Sequence, residues 1–388
     1  MIRILLSPNQ GYFVDLSTFT AWFQNAAENG LHSFYETWSD YPPFNVYIFW
    51  VFGSLANYMS LFNTDSLLYL LKLPSGIFDV ATSALIFLFL RKRSSFKASI
   101  FASSLYAFNP ATIFNTSIWG QYDAIYTFFL VLAIMLVLDS KPKLSAVAYA
   151  LALLTKPQSI ALAPLMIYYT IKRYGWEKFG ASLLALAATI FVVIIPFEWS
   201  NPVTFLLNIY STGYGGYAFN TINAFNIWAF IGFWIPDTQS FLFLNFFTIG
   251  WILFTISAIS TLFILCKRFD DSGELLVLFS AFMLLFSFFM LPTRIHERYM
   301  FPVLSFLALM FPFFEKIRPV YYILSFTYLM NQVYVLYFLN AGQFIPNGDP
   351  VVFTLSLINS FVFLYVSRLT WKEFRTNRNS SIATKLRI

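Results

Sequence analysis

Trp38-Ser39-Asp40-Tyr41-Pro42-Pro43-Phe44 sets a carboxylate beside an aromatic ring and two prolines, just ahead of an apolar run that reaches Phe62. Two consecutive prolines cannot lie inside a helix, so the backbone is held extended and the next helix starts from a fixed point. On the heptapeptide alone the plainer reading, an ordered turn with a solvated aspartate, is favoured. What surrounds it changes the weighting. The remaining chain reads as a membrane frame that holds this turn against a second polar cluster, Arg294-Ile295-His296-Glu297-Arg298-Tyr299.

The 388 residues are 59% hydrophobic and 11% charged, with 49 phenylalanines. Soluble domains carry about a quarter charged residues, so a soluble globular protein is excluded. Apolar runs of roughly 20 residues recur, each long enough to cross a hydrocarbon layer as a helix. The net charge of +6 does not indicate nucleic acid, because the basic residues sit in short loops. Cys266 is the one cysteine, so no disulfide framework exists within the chain. The first 15 residues lack the basic leader and apolar core of a cleavable signal.

The expected fold is an all-α polytopic membrane protein of about 11 transmembrane helices, with spans near 66–90, 97–109, 122–138, 144–155, 158–171, 179–196, 240–265, 273–291, 300–314, 319–340 and 350–367. Every second connection is basic, and together with the tail these hold 19 of the 24 Lys and Arg. That side is therefore expected to be the cytoplasm, with the carboxyl terminus there. Parity puts Asp40 outside if 44–62 does not cross, and its Asn45, Ser54, Asn57 and Ser60 suit a helix lying along the outer interface. The chain divides as an external segment 1–62, a transmembrane bundle 63–367 and a basic tail 368–388, all in one membrane domain. Lys72 reads as snorkelling to headgroups. Asp79, inside a span, has no partner visible in the sequence and reads as structural. The segment 197–240, rich in Asn, Gly, Tyr and Trp, is longer than a connection needs and is expected to form part of a binding surface.

Asp15 and Asp40 share the external segment, and a carboxylate is a competent base for a sugar hydroxyl. Asp15 also precedes a helix-like run, so N-capping competes evenly with catalysis. Gln121 and Asp123 sit at another helix start, where capping and packing on Trp119 is the plain reading. Arg294, His296 and Arg298 crowd three donors into five residues offset only by Glu297, a grouping suited to gripping a phosphate. A base and a phosphate grip at one membrane face suit glycosyl transfer from a lipid-phosphate sugar. No Walker loop, dinucleotide fingerprint or serine triad is present, and with only His32 and His296 a histidine-rich metal site is excluded. Asp15 and Asp40 would bind a divalent cation (Mg or Mn) or none.

Asp15, Asp40-Tyr41-Pro42-Pro43, Trp119-Gly120-Gln121-Tyr122-Asp123, Thr155-Lys156-Pro157-Gln158 and His296-Glu297-Arg298-Tyr299 follow the order seen in GT-C membrane glycosyltransferases. The chain resembles prokaryotic relatives of the second GPI-anchor mannosyltransferase over nearly its whole length. That resemblance implies an inverting hexosyltransferase, with mannose favoured, acting on the non-cytoplasmic face from a polyprenyl- or dolichyl-phosphate donor to a glycan, lipid or protein acceptor. It implies Asp15 as base and Asp40 as the second acidic position. Tyr41, Gln121, Asp123, Lys156, Gln158, Arg294, His296, Glu297 and Arg298 would be substrate-binding. One departure stands out: the family carries a transmembrane helix before the first external loop, and this chain begins almost at that loop. The competing classes are a non-catalytic membrane subunit and a lipid or solute transporter. A transporter would show mid-membrane charge pairs and internal symmetry.

Overall fold

The computed structural model of the chain describes residues 1–269 and 273–374. Its α-helices are α1 Ile2–Leu6, α2 Phe13–Asn29, α3 Pro43–Tyr58, α4 Leu67–Arg91, α5 Phe96–Ala107, α6 Pro110–Ile113, α7 Asp123–Leu138 and α8 Pro142–Leu153. They continue with α9 Ala163–Ile194, α10 Pro202–Gly215, α11 Phe246–Lys267, α12 Gly273–Met290, α13 Phe301–Met310, α14 Arg318–Asn340 and α15 Pro350–Leu369. The sheet among the described residues is one antiparallel pair, β1 Ser240–Phe241 and β2 Leu244–Asn245. That hairpin corrects the span expected from 240. The helix starts only after Asn245, whose side chain caps it by accepting from the Thr248 N–H.

Among the described residues six helices are long and apolar enough to cross a membrane: Leu67–Arg91, Pro157–Ile194, Phe246–Lys267, Gly273–Met290, Glu315–Asn340 and Pro350–Lys372. The expected 11 spans are not all of that length, since α5, α8 and α13 have only 12, 12 and 10 residues. The spans expected on either side of 172–178 are two helical stretches joined within α9 by a kink, where Gly175 (φ 79°, ψ 171°) leaves the helical conformation. A 16-residue α3 is about 24 Å long, short of the roughly 30 Å hydrocarbon layer. Much of the expected basic tail lies outside the described residues.

Contacts divide the chain into two compact units. The first comprises Met1–Thr82, Ile113–Ile160 and Arg173–Tyr217; the second comprises Ser83–Thr112, Ala161–Lys172 and Ala218–Ile388. In the first, α2 buries Leu16, Phe19, Phe23 and Ala26 while α3 buries Val46, Phe49, Gly53 and Ala56. Both sets follow a 3-4-3 spacing, which aligns each row on one helical face. Gly53 lets the two backbones meet, since a Cβ there would lie 2.1 Å from the Phe23 carbonyl oxygen. The Asp40-Tyr41-Pro42-Pro43 turn behaves as its prolines dictate: Pro42 is extended and Pro43 opens α3 at N1.

The second unit is built round α12, in which every residue from Leu275 to Met290 is buried. A helix apolar all round belongs at the centre of its neighbours, and α11, α13 and α15 pack on it. Where such helices lie in lipid, close packing rather than water exclusion holds them together. The stretch after Ala218 packs several of its polar side chains inward. Asn220, Thr221, Asn226 and Asp237 are fully buried. The Asn331 amide donates to the Asn223 carbonyl and accepts from the Phe225 N–H, and Asn359 donates to the Phe225 carbonyl. Irregular backbone in an apolar surround must find its partners within the protein, and these asparagines supply them.

Candidate functional site

Asp15 is not the cap of α2. Tyr12 takes that place, and Asp15 lies in the first turn. Its Oδ2 instead accepts from Trp119 Nε1 at 2.8 Å and from Gln121 Nε2 at 2.7 Å. Among the described residues Oδ1 accepts no hydrogen bond. The Tyr12 phenol is held above its ordinary value, by burial first and by the Asp15 charge second.

The two donors are placed by an unusual local backbone. Phe114–Trp119 forms a π-helical turn that ends at Gly120 in the left-handed region (φ 90°), and the Gly120 and Gln121 N–H groups both donate to the Asn115 carbonyl. A side chain at Gly120 would also be crowded, since a Cβ would lie 3.0 Å from Lys72 Cε and 3.3 Å from Leu16 Cδ2. α4 clamps this turn from the other side. Tyr122 donates to the Leu71 carbonyl at 2.7 Å, Ser75 donates to the Gln121 carbonyl, and Lys72 donates to the carbonyls of Asn9, Ser117 and Ile118. Lys72, 2% exposed, therefore does not snorkel. It ties the N-terminal segment to the π turn that carries Trp119.

Asp40 has different neighbours. Tyr35 and Gly213 of α10 lie against it, with the Asp40 carbonyl 3.4 Å from where a Gly213 Cβ would stand. Burial, then the Tyr210 and Asp40 charges, push the Tyr35 phenol well up. Tyr35 itself donates to the Tyr41 carbonyl at 2.7 Å, which fixes the turn.

Asp123 does not cap α7. Its Oδ1 accepts from Lys156 Nζ at 2.7 Å and its Oδ2 from Asn115 Nδ2 at 3.2 Å. Lys156 Nζ lies 5.7 Å from the Tyr41 ring centroid and 5.8 Å from that of Tyr126. Both charges are buried, so this pair joins the start of α7 to the Thr155-Lys156-Pro157 break. The break is also tied to α3, since Asn45 donates to the Thr155 carbonyl at 2.6 Å. Gln158 sits in the 3-10 turn that follows. Asp79, expected without a partner, accepts from Arg3 Nε at 2.8 Å, which accounts for both charges.

In the second unit the cationic turn is compensated more fully than its sequence suggests. Arg294 Nε donates to Asp237 Oδ2 at 2.7 Å and Nη2 donates to Oδ1 at 3.3 Å, a forked pair. Thr293 adds a bond to Asp237 at 3.0 Å, and the guanidinium lies 4.8 Å from the Phe247 ring centroid. Arg294 stands at φ 64°, a conformation costly for a side-chain-bearing residue, and its N–H is held by the Phe219 carbonyl. Arg298 Nη1 donates to Glu297 Oε1 at 3.1 Å. His296 is buried, its backbone bridging Ile222 and Asn223 and its ring 5.3 Å from that of Tyr299. Two carboxylates thus offset two guanidiniums, and Glu297 is not the sole counter-charge.

The sequence alone does not pair Asp237 with Arg294 or Arg3 with Asp79, and it offers Trp119 as a packing residue rather than as an indole N–H donor. Among the described residues no three His, Cys, Asp or Glu side chains are grouped to hold a metal ion. No protein-family model matches the chain, and no curated protein matches it.

Proposed function

We propose that the first unit carries out inverting glycosyl transfer with Asp15 as the general base. The observation that carries this reading is the asymmetric carboxylate: two neutral N–H donors fix Oδ2, while Oδ1 takes no bond among the described residues. A base oriented through one oxygen can present the other to an acceptor hydroxyl. In the reaction the acceptor O–H proton passes to Asp15 and the acceptor oxygen bonds the sugar's anomeric carbon. The bond from that carbon to phosphate breaks, and the lipid phosphate leaves with the electron pair. A polyprenyl- or dolichyl-phosphate hexose, mannose first, suits a chain in which six helices among the described residues are long and apolar enough to cross a membrane. The proposed side is the non-cytoplasmic one, on the charge bias of the alternate connections. Asp123 and Lys156 act as a buried strut close to the Tyr41 ring, and Asp40 as a further acidic position rather than a second base.

The test is transfer from labelled polyprenyl-phosphate mannose in membranes containing the wild-type chain or Asp15→Asn. Loss of the base is expected to slow transfer about 10²–10⁴-fold, the usual contribution of general-base catalysis. An unchanged rate in correctly inserted Asp15→Asn would remove Asp15 from the chemistry. A second reading, a non-catalytic membrane subunit, is favoured by the compensated charges of the Arg294 turn. It predicts that the purified wild-type chain transfers nothing while a co-purifying protein does.

A further inference from the structure

A cleft of about 450 Å³ opens along α2 and the turn after it, lined by Trp22, Trp38, Gln24, Asn25, Glu28 and Thr37 among others. We infer that this cleft binds a saccharide, and that it is the acceptor subsite of the proposed transfer; its role as an acceptor subsite rests on that reading, its binding does not. Its volume falls within the range of small-molecule sites. One wall is an indole, Trp38, which is 61% exposed and so leaves a ring face open to a ligand. The other wall is a row of planar polar groups. Gln24 Nε2 donates to Glu28 Oε1 at 2.8 Å, and Asn25 Nδ2 donates to Thr37 Oγ1 at 2.8 Å. Among the described residues, Glu28 Oε2 and Gln24 Oε1 accept no hydrogen bond, so both remain for an incoming hydroxyl. An aromatic face for the C–H side of a pyranose, with amide and carboxylate edges for its hydroxyls, is the chemistry that recognises sugars.

The cleft is also built rather than incidental. Trp22 Nε1 donates to the Trp38 carbonyl at 3.1 Å, and Asn25 Nδ2 donates to the Phe34 carbonyl at 3.0 Å. Beneath, the Trp22 ring stacks on Phe49 of α3 at 5.7 Å. Thr18, Trp22 and Asn25 follow Asp15 at the i+3, i+7 and i+10 positions, which lie along one stripe of α2. Seven residues of helix cover about 10 Å, a reach suited to an oligosaccharide whose end lies at Asp15.

The experiment uses the full chain in detergent or nanodiscs, with soluble mannose and glucose trisaccharides as probes read by tryptophan emission and saturation-transfer NMR. Binding is expected, with Trp38→Ala weakening it about tenfold and Trp38→Phe restoring part of it. In the transfer assay Trp38→Ala is expected to raise KM for the acceptor and leave kcat nearly unchanged. The inference is overturned if neither trisaccharide binds, or if Trp38→Ala leaves affinity or acceptor KM unchanged. It is overturned equally if brominated acyl chains quench Trp38 and saccharides do not, which would mark a bilayer-anchoring indole. Because binding is read without turnover, a failure of Asp15 as base leaves this test intact, and the two failures remain distinct.

Discussion

Two turns in this protein concentrate charge, and they differ in what the fold has done with it. Around Arg294 and Arg298 each guanidinium faces a carboxylate, Asp237 for one and Glu297 for the other. Around Asp15 the partners are neutral, an indole and an amide, and both engage the same oxygen. A buried charge met by an opposite charge is held for structure, because removing either leaves the other exposed to a low dielectric. A carboxylate steadied through one oxygen by neutral donors keeps the other oxygen for something else. The contrast points to the Asp15 turn as the place where chemistry can happen.

Exchanging one oxygen for nitrogen in each turn should separate the two. Asp15→Asn is expected to lose transfer by 10²–10⁴-fold with the thermal midpoint of the detergent-solubilised protein little changed. Asp237→Asn should instead lower stability by about 3–5 kcal/mol, because the buried carboxylate that faces the part-buried Arg294 guanidinium would be lost. Thermal or denaturant unfolding of the two variants reads this directly, and a stability loss in Asp15→Asn as large as that in Asp237→Asn would erase the distinction. A smaller effect sharpens the same point from the donor side. Trp119→Phe removes one of the two N–H groups on Asp15, a hydrogen bond to a charge worth about 1.5–3 kcal/mol. If the indole orients the base, the loss falls on kcat, roughly 10- to 100-fold, and acceptor KM is spared.

Much of the helical frame was legible in the residues. The double proline starts α3 where expected, and the long apolar runs at 66–90, 273–291, 319–340 and 350–367 fall within a few residues of α4, α12, α14 and α15. What escaped was pairing. Arg3 and Asp79 are 76 residues apart, and Asp237 and Arg294 are 57 apart, so no local pattern joins them. The buried role of Lys72 is not legible in the sequence, because hydropathy does not say which face of a helix meets lipid and which meets protein. The asparagines after Ala218 look like surface by composition, but an irregular backbone packed among helices needs buried amides for its own carbonyls and N–H groups. At the candidate site, Asp15 was legible as a carboxylate of interest, while the source of its orientation was not. Trp119 and Gln121 reach it only because the π turn and Gly120 carry them there.

The smallest effect comes from a third carboxylate, Glu198, which shares Asp15's arrangement of several donors on one oxygen but stands in solvent. Its Oε1 accepts from the Ser200 hydroxyl, the Ser200 N–H at 2.8 Å and the Asn201 N–H at 3.1 Å, just before α10. The Ser200 hydroxyl first, then the two backbone bonds, hold its carboxyl below the ordinary glutamate value, with His32 adding a little. Because the folded value is depressed, the stabilisation is present above the ordinary value of about 4.3 and fades as pH falls through the folded value. Hydrogen exchange at Ser200 and Asn201 in Glu198→Gln should therefore be faster than wild type at neutral pH, with the gap closing in acid. α10 carries Gly213 against Asp40, so a neutral-pH change in transfer rate in this variant would mean that the Asp40 turn, and not Asp15 alone, sets the reaction. No such change is expected, because the proposed base is held from α4 and the π turn, and nothing in its hydrogen bonding passes through α10.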